Sequence, residues 1–245
     1  MTVNYYDWSA YHANVRPNKI AIRDLSVNKE LTYSELDIRS NKLAEWLQKN
    51  GVGKGDRVAI LSHNCAEFFE LEFACAKIGA IELPLNWRLT KPELEYILND
   101  SSPCVLVYEA AFLDIALELQ KDCQIKDSLQ IDNQDISSQY ESALNESDGN
   151  YESIPTNHDD LIMIMYTSGT TGHPKGAMIN HRMQLYNCIN LAAPALVSPE
   201  TVQLVVLPLF HTGGMNCYAN PVLHAGGELI LIKEFDPGLA LSILG

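Results

Sequence analysis

The sequence has few basic residues and no long apolar run. Lys and Arg number 17 against 31 Asp and Glu, which gives a formal net charge of −14 and argues against sequence-independent binding to nucleic acid or to an anionic membrane. No apolar stretch approaches the length of a membrane span, and the first residues lack the basic and apolar regions of a signal peptide. We therefore expect a cytoplasmic protein with no transmembrane segment and no nucleic-acid partner.

Closely spaced cysteines are also missing. The six cysteines form no C-x-x-C pair, and most lie inside apolar stretches such as "LEFACAKIGA" and "PCVLVY". This pattern disfavours a disulfide framework or a zinc site and is typical of buried free thiols in a reducing compartment. None of them lies beside a motif that would activate it, so a catalytic cysteine is disfavoured as well.

Helical and strand patterns alternate along the chain. Thr32 with Glu35, and Thr90 with Glu93, form capping-box spacings that predict the starts of two helices. Short apolar segments such as "DRVAILS", "AIELP" and "PCVLVY" lie between the helical stretches and predict buried strands. The pattern predicts an α/β fold of mainly parallel sheets flanked by helices.

Residues 132–160 differ from the rest, because they contain eight acids and no Lys or Arg. We expect a solvated surface connection here, with a module boundary as the alternative. The sequence ends in "PGLALSILG", where a helical apolar pattern has just begun. We therefore expect residues 1–245 to form one partial domain.

A glycine-rich segment, "YTSGTTGHPKG" at 166–176, directly follows the apolar run "LIMIM". Glycines let the backbone point several N–H groups at one anion, and the hydroxyls and Lys175 add donors and positive charge. No Asp or Glu occurs between Asp160 and Glu200. The segment is not a Walker A motif, because Lys175 follows Pro174. At the carboxyl end of a buried strand, this composition predicts a phosphate site rather than an empty surface turn.

The segment "VVLPLFHTGGMN" places Phe210 and His211 just past another predicted strand. An aromatic ring and an imidazole at this end of a sheet could form the wall of a carboxylate-binding pocket. We also expect the backbone N–H groups near Gly213 and Gly214 to be free to face an anion.

Residues 166–176 closely resemble the signature phosphate loop of the AMP-forming adenylating superfamily, which includes acyl-CoA synthetases, luciferases and peptide-synthetase adenylation domains. Other stretches resemble the same family in the right order. "LTYSELDIRSNKLAEWLQKNGVGKGDRVAILSHN" is similar to its opening, and "ACAKIGAIELPLNWRL" to its second motif. "LPLFHTGGMN" resembles the aromatic–His segment that lines the acyl pocket in CoA ligases.

The resemblance implies two groups of site residues. Nucleotide binding falls to Thr167, Ser168, Gly169, Thr170, Thr171, Gly172 and Lys175, with Thr167 as a ligand of Mg²⁺. Substrate binding falls to Phe210, His211, Thr212, Gly213, Gly214 and Met215. The adenine and ribose motifs, the hinge and the small C-terminal lid domain with its catalytic lysine have no counterpart in the sequence. We therefore expect none of the main catalytic residues to be present and this chain alone to be inactive.

The implied reaction has two steps and uses ATP, Mg²⁺ and CoA. A small carboxylic acid, fatty or aryl, attacks ATP to give an acyl-adenylate and pyrophosphate, and the CoA thiol then displaces AMP. Two alternatives stay open: a non-catalytic nucleotide-binding half that needs a partner chain, and an enzyme that passes the acyl group to a carrier-protein thiol. We further expect a homo-oligomer or other association through an incomplete sheet edge.

Overall fold

The computed structural model describes residues 6–132, 135, 137–167 and 172–244. Its strands form two sheets. The larger has the order β6-β5-β3-β4-β7-β8 and is parallel except for the antiparallel pair β7–β8. Its strands are β3 (Arg57–Leu61), β4 (Ile81–Pro84), β5 (Val105–Glu109), β6 (Asp127–Ile131), β7 (Leu161–Thr167) and β8 (Lys175–Asn180).

The smaller sheet has the order β2-β1-β10-β9, in which β1 and β2 form an antiparallel hairpin and the other pairs are parallel. Its strands are β1 (Ile20–Asp24), β2 (Lys29–Thr32), β9 (Val202–Val205) and β10 (Glu228–Leu231). The α-helices are α1 (Trp8–Val15), α2 (Tyr33–Lys49), α3 (Glu67–Ile78), α4 (Lys91–Ser101), α5 (Leu113–Asp122), α6 (Gln139–Asn145), α7 (His181–Ala192), α8 (Asn220–Ala225) and α9 (Pro237–Leu244). A 3₁₀ turn covers Ala110–Phe112 and a π-helix covers Gly213–Ala219.

The core has two main layers, one on each face of the larger sheet. Along β3, Val58 and Ile60 join a core shared with α2, α3 and the smaller sheet, whereas Ala59 and Leu61 join a second core under α4 and α5. This alternation follows from the two-residue period of a strand covered on both faces. Every residue of α3 is buried, because this helix packs inside the first core. The predicted α/β fold with mostly parallel sheets is confirmed.

Both predicted capping boxes form. The Glu35 amide donates to the Thr32 hydroxyl, and the Glu35 carboxylate accepts from the Thr32 N–H at 2.8 Å. At the start of α4, the Glu93 carboxylate accepts from both the N–H and the hydroxyl of Thr90 at 2.7 Å. Each box pairs backbone donors that a helix N-terminus otherwise leaves without a partner.

The acidic segment is more tightly packed than a solvated connection. Within its described part, α6 buries Tyr140 and Leu144, and the Tyr140 hydroxyl donates to Glu70 on α3 at 2.8 Å. The amide of Gly149 donates to Glu45 on α2 at 2.6 Å. The expectation of a simple surface loop is therefore wrong, because this segment forms α6 and the buried residues of that helix pack on α2 and α3. A module boundary in this segment stays a prediction.

All six cysteines are free thiols, as the sequence predicts, but only Cys65, Cys75 and Cys188 are buried, and Cys217 is exposed. Across the described ranges, no helix is long and apolar enough to span a bilayer.

Candidate functional site

The two stems of the glycine-rich loop are paired with each other. Thr167 ends β7 and pairs with Lys175, which begins β8, and the preceding pair is Tyr166 with Gly176. The side chains of Thr167 and Lys175 are both exposed. The pairing thus presents a hydroxyl and an ammonium side by side at the carboxyl end of a buried strand, which suits an anionic ligand.

Two glycines of the loop region, Gly172 and Gly176, have defined structural roles. Gly172 has φ of +103°, a conformation that a residue with a side chain rarely adopts. At Gly176, an added Cβ would lie 2.9 Å from Ile164 Cγ2 and 3.2 Å from the Tyr166 ring, so β8 approaches β7 closely there. The predicted ligands Ser168, Gly169, Thr170 and Thr171 lie outside the described residues.

The His211 segment is held by Asn64, which follows β3. The Asn64 side chain donates to the Leu207 carbonyl at 3.1 Å and accepts from the Leu209 amide at 2.9 Å. These bonds fix the chain directly before Phe210 and His211. A Cβ at Gly214 would meet the Pro208 carbonyl oxygen at 2.3 Å, so this tight turn requires glycine.

The imidazole of His211 has one defined partner. The Gly213 amide donates to His211 Nδ1 at 3.0 Å. In neutral imidazole, the ring proton then lies on Nε2, which leaves that atom as a donor. The Gly213 amide is already paired, so the expectation that it faces an anion is wrong; the two-residue spacing from His211 favours this local bond.

The two predicted substrate residues Thr212 and Met215 lie in different environments. Thr212 is exposed next to His211, whereas Met215 lies in the π-helix and is fully buried in the first core. Single π-helical turns often occur at functional sites. Asn216 belongs to the same π-helix, and its side-chain amide lies 3.9 and 3.7 Å from the sulfurs of Met163 and Met165 on β7. The π-helix is thereby tied to the strand that carries the phosphate loop.

One cavity of about 550 Å³ brings the two predicted groups together. Residues from both sequence-predicted segments line it, together with residues from the end of β4 and from α4. The lining residues are Pro84, Asn86, Leu89, Pro92, Glu93, Tyr96, Ile97, Tyr166, Thr167, Gly172, His173, Pro174, Phe210 and His211. Lys175, Thr212, Gly213, Gly214 and Met215 are not part of this lining.

Residues of α4 and the loop before it were not foreseen as part of a site. Glu93 lines the cavity, but its carboxylate is bound by Thr90, and these hydrogen bonds lower its pKa. Arg88 stacks on Trp87 and lies 5.5 Å from the centre of the Phe210 ring, which adds a cation beside the cavity. The available signal was "NWRL" directly after a strand exit, where ligands of α/β sheets collect.

The donor set fits a polyphosphate better than a metal held by protein ligands. Among the described residues, no group of three or more His, Cys, Asp or Glu side chains could hold a metal ion. The Thr167 hydroxyl could complete the coordination of a Mg²⁺ ion that arrives on a triphosphate, because Mg²⁺ commonly binds through phosphates and few protein ligands.

Comparisons with known proteins identify the family of the chain. The family model described as AMP-binding enzyme matches residues 9–244. Feruloyl-CoA synthase of an Amycolatopsis species is 35% identical over 235 residues, which cover 96% of this chain and 45% of that protein. Long-chain-fatty-acid–CoA ligase FadD13 of Mycobacterium tuberculosis is 32% identical over 95% of this chain and 46% of its own length. The chain thus spans about half the length of the relatives it matches.

Solved structures match over almost the whole chain. The structure of ATP-bound MatB from Rhodopseudomonas palustris matches with a TM-score of 0.86 at 29% identity. The match covers 98% of this chain and 47% of the MatB chain. The inhibitor-bound N-terminal domain of FACL13 from Mycobacterium tuberculosis gives 0.87 at 30% identity, covering 98% and 60%. The fold, the loop and the match over residues 9–244 together show that the chain belongs to the AMP-binding enzyme family.

Proposed function

We propose that this chain forms the nucleotide- and carboxylate-binding part of an AMP-forming acid–CoA ligase acting on an aryl or fatty acid. The observation that carries the proposal is the single cavity shared by Thr167 and Gly172 of the phosphate loop and by Phe210 and His211. A reaction between two anions needs both held in one place. Relatives named as feruloyl-CoA synthase, indoleacetate–CoA ligase and long-chain-fatty-acid–CoA ligase support the substrate class.

In the first step, a carboxylate oxygen attacks the α-phosphorus of ATP, the bond between the α-phosphorus and the bridging oxygen breaks, and pyrophosphate leaves. Thr167 and Lys175 would bind the β- and γ-phosphates and stabilise the charge that develops on the leaving group. His211 Nε2 would donate to the carboxylate and orient it. Most of the catalysis is positioning and electrostatics, which this cavity can provide.

In the second step, the sulfur of a thiolate attacks the acyl carbonyl, and AMP leaves. CoA is the proposed acceptor. A carrier-protein thiol is the second candidate, because a fatty acid–[acyl-carrier-protein] ligase, ScoC of Streptomyces coeruleorubidus, is 30% identical over 96% of this chain. Exchange of CoA for a phosphopantetheinylated carrier protein in the thioester assay would distinguish the two.

Titration calorimetry of the chain with MgATP tests the nucleotide site. Lys175→Ala should weaken binding by about 1–3 kcal/mol, because one hydrogen bond to a charged oxygen contributes that much. Lys121→Ala is the matched control, since Lys121 is likewise an exposed lysine but lies on α5 and not on a stem of the phosphate loop. Equal affinities of wild type and Lys175→Ala would contradict the proposed role of the loop.

Exchange of labelled pyrophosphate into ATP tests the carboxylate half. We expect exchange in the native-length protein to depend on an aryl or fatty acid and to fall when His211 is replaced by Ala. Exchange that is supported by amino acids but by neither aryl nor fatty acids would contradict the ligase proposal. Binding of MgATP without any exchange would instead favour a non-catalytic nucleotide-binding half.

A further inference from the structure

Helix α4 presents one face to the phosphate loop. Glu93, Tyr96 and Ile97 line the cavity, and Asp100 lies one turn further along the same face. The spacing i, i+3, i+4 and i+7 brings these residues to one side of the helix. Nothing in the sequence motif of the loop itself points to this helix.

Two contacts join α4 to the two stems of the loop. The rings of Tyr96 and His173 are stacked, with centroids 4.7 Å apart and an interplanar angle of 21°. The hydroxyl of Tyr166 donates to the carboxylate of Asp100. His173 lies two residues before Lys175, and Tyr166 directly precedes Thr167, so each contact holds one stem next to a proposed phosphate ligand.

Tyr166 is confined from both sides. Gly176 on β8 packs against its ring, where an added Cβ would lie only 3.2 Å away, and the Asp100 carboxylate accepts from its hydroxyl. Burial and the hydrogen bond to Asp100 raise the pKa of Tyr166, so the phenol keeps its proton and stays a donor. The strand end is therefore fixed relative to α4 as well as to β8.

These contacts are not what holds α4 in place. Leu94 and Leu98, which are not part of the cavity lining, anchor the helix in the second core, and the Thr90–Glu93 capping box fixes its start. Loss of the Tyr96 or Asp100 side chain therefore leaves the helix anchored. What it removes is the connection between helix and loop.

We propose that Tyr96 and Asp100 are positioning residues for the triphosphate: they hold the loop stems so that Thr167 and Lys175 are ordered before the ligand binds. The inference rests on the proposed function, since it assigns residues outside the loop to the same site. A pre-ordered site loses less conformational entropy on binding, so its affinity is higher than that of the same ligands on an unconstrained loop.

The test is the affinity of the chain for MgATP, measured by calorimetry on two pairs of variants. Tyr96→Ala should weaken binding about three- to tenfold, whereas Tyr96→Phe keeps the stacked ring and should bind like wild type. Asp100→Ala should weaken binding to a similar extent, whereas Asp100→Asn keeps an oxygen acceptor for Tyr166 and should largely restore it. Tyr11→Ala, at an exposed tyrosine on α1, is the matched control.

A second measurement does not depend on ligand binding. In proton NMR, the stacked tyrosine should shift the His173 ring resonances upfield by its ring current. The shift should disappear in Tyr96→Ala and persist in Tyr96→Phe. Urea unfolding of each variant separates loss of loop order from loss of global stability, because a merely structural role would lower stability without lowering affinity in the folded protein.

The outcomes are distinguishable. If wild type binds MgATP and Lys175→Ala weakens it, but Tyr96→Ala and Asp100→Ala bind like wild type, the positioning role is wrong and the proposed function stands. If wild type binds no MgATP at all, the proposed nucleotide site fails and the inference fails with it. Weaker binding by both alanine variants, with recovery in Tyr96→Phe and Asp100→Asn, supports the inference.

Discussion

Asp24, at the carboxyl end of β1, is a carboxyl group with almost no access to solvent. It is 1% exposed, and its carboxylate accepts from the Ser26 amide at 2.9 Å. Burial, with a smaller contribution from nearby Glu67, raises the pKa of Asp24 from 3.8 to about 6. Lys29 acts in the opposite direction but does not outweigh burial. At neutral pH the ionised Asp24 carboxylate is therefore destabilised by its burial.

The sign of the effect on stability follows from this shift. The folded state binds the Asp24 proton more tightly than the unfolded state does. Protonated Asp24 therefore contributes fully to the free energy of unfolding below about pH 4, and this contribution is lost as the pH rises through 6. Two pKa units correspond to about 3 kcal/mol. Asp24→Asn keeps the oxygen that accepts from Ser26, so the variant should gain stability relative to wild type between pH 4 and 7 in urea unfolding. Parallel pH profiles would contradict this.

At the residue scale, the sequence predicts what each loop residue can bind but not what holds it. Thr167, Lys175, Phe210 and His211 were identified by residue type and position after predicted strands, and the structure places three of them in one cavity. Tyr96 could not be found this way. Its role depends on how α4 packs across the sheet, and that packing places it next to a residue 77 positions away in the chain.

At the scale of elements, α3 is joined to α1 and α2 by a buried lysine. Lys77 is 1% exposed, and its ammonium contacts Asp7 at 2.5 Å and Asp37 at 2.7 Å. Burial lowers the pKa of Lys77, but the two carboxylates outweigh burial and hold it above its usual value. Asp7 also caps α1 by accepting from the Ala10 amide at 3.1 Å. One side chain thus fixes the relative positions of three helices.

Removal of this ammonium should be costly. Lys77→Met fills a similar volume but leaves two carboxylates with no cation between them, and breaking a buried ion pair in this way costs about 3–5 kcal/mol. Lys49→Met is the matched control, because Lys49 is 61% exposed and water screens its pair with Glu45, so its loss should lower stability far less. Urea unfolding at neutral pH measures both changes. Similar small losses in the two variants would show that the buried cluster contributes no more than a surface pair.

Elements with a strong apolar pattern were predictable, and those without one were not. Strands β3, β4, β5 and β7 of the larger sheet follow from buried apolar runs, and the starts of α2 and α4 follow from capping boxes. Strand β8 has mostly exposed or half-exposed residues, so its apolar signal is weak, and its pairing is specified by β7. The β1–β2 hairpin was missed for a related reason: β2 has four residues, of which one is buried.

At the scale of the whole molecule, β8 and α7 leave an apolar surface exposed. Met178 on β8 is 63% exposed, and Met183, Tyr186 and Ile189 on α7 are 56%, 54% and 45% exposed. Within the described sheet, β8 is an edge strand, so its outer backbone groups have no strand beside them. Exposed apolar side chains beside an unpaired strand edge are a common route to association.

The isolated chain should therefore self-associate as its concentration rises, because association buries these side chains and pairs the strand edge. Sedimentation velocity across a wide concentration range, with light scattering for mass, measures this. Met178→Lys combined with Ile189→Glu places charges on the surface and should shift the chain toward monomer. Leu117→Glu is the matched control, because Leu117 is 50% exposed but lies on α5. A monodisperse wild-type monomer, or equal dissociation by the control, would show that this surface is not the site of association.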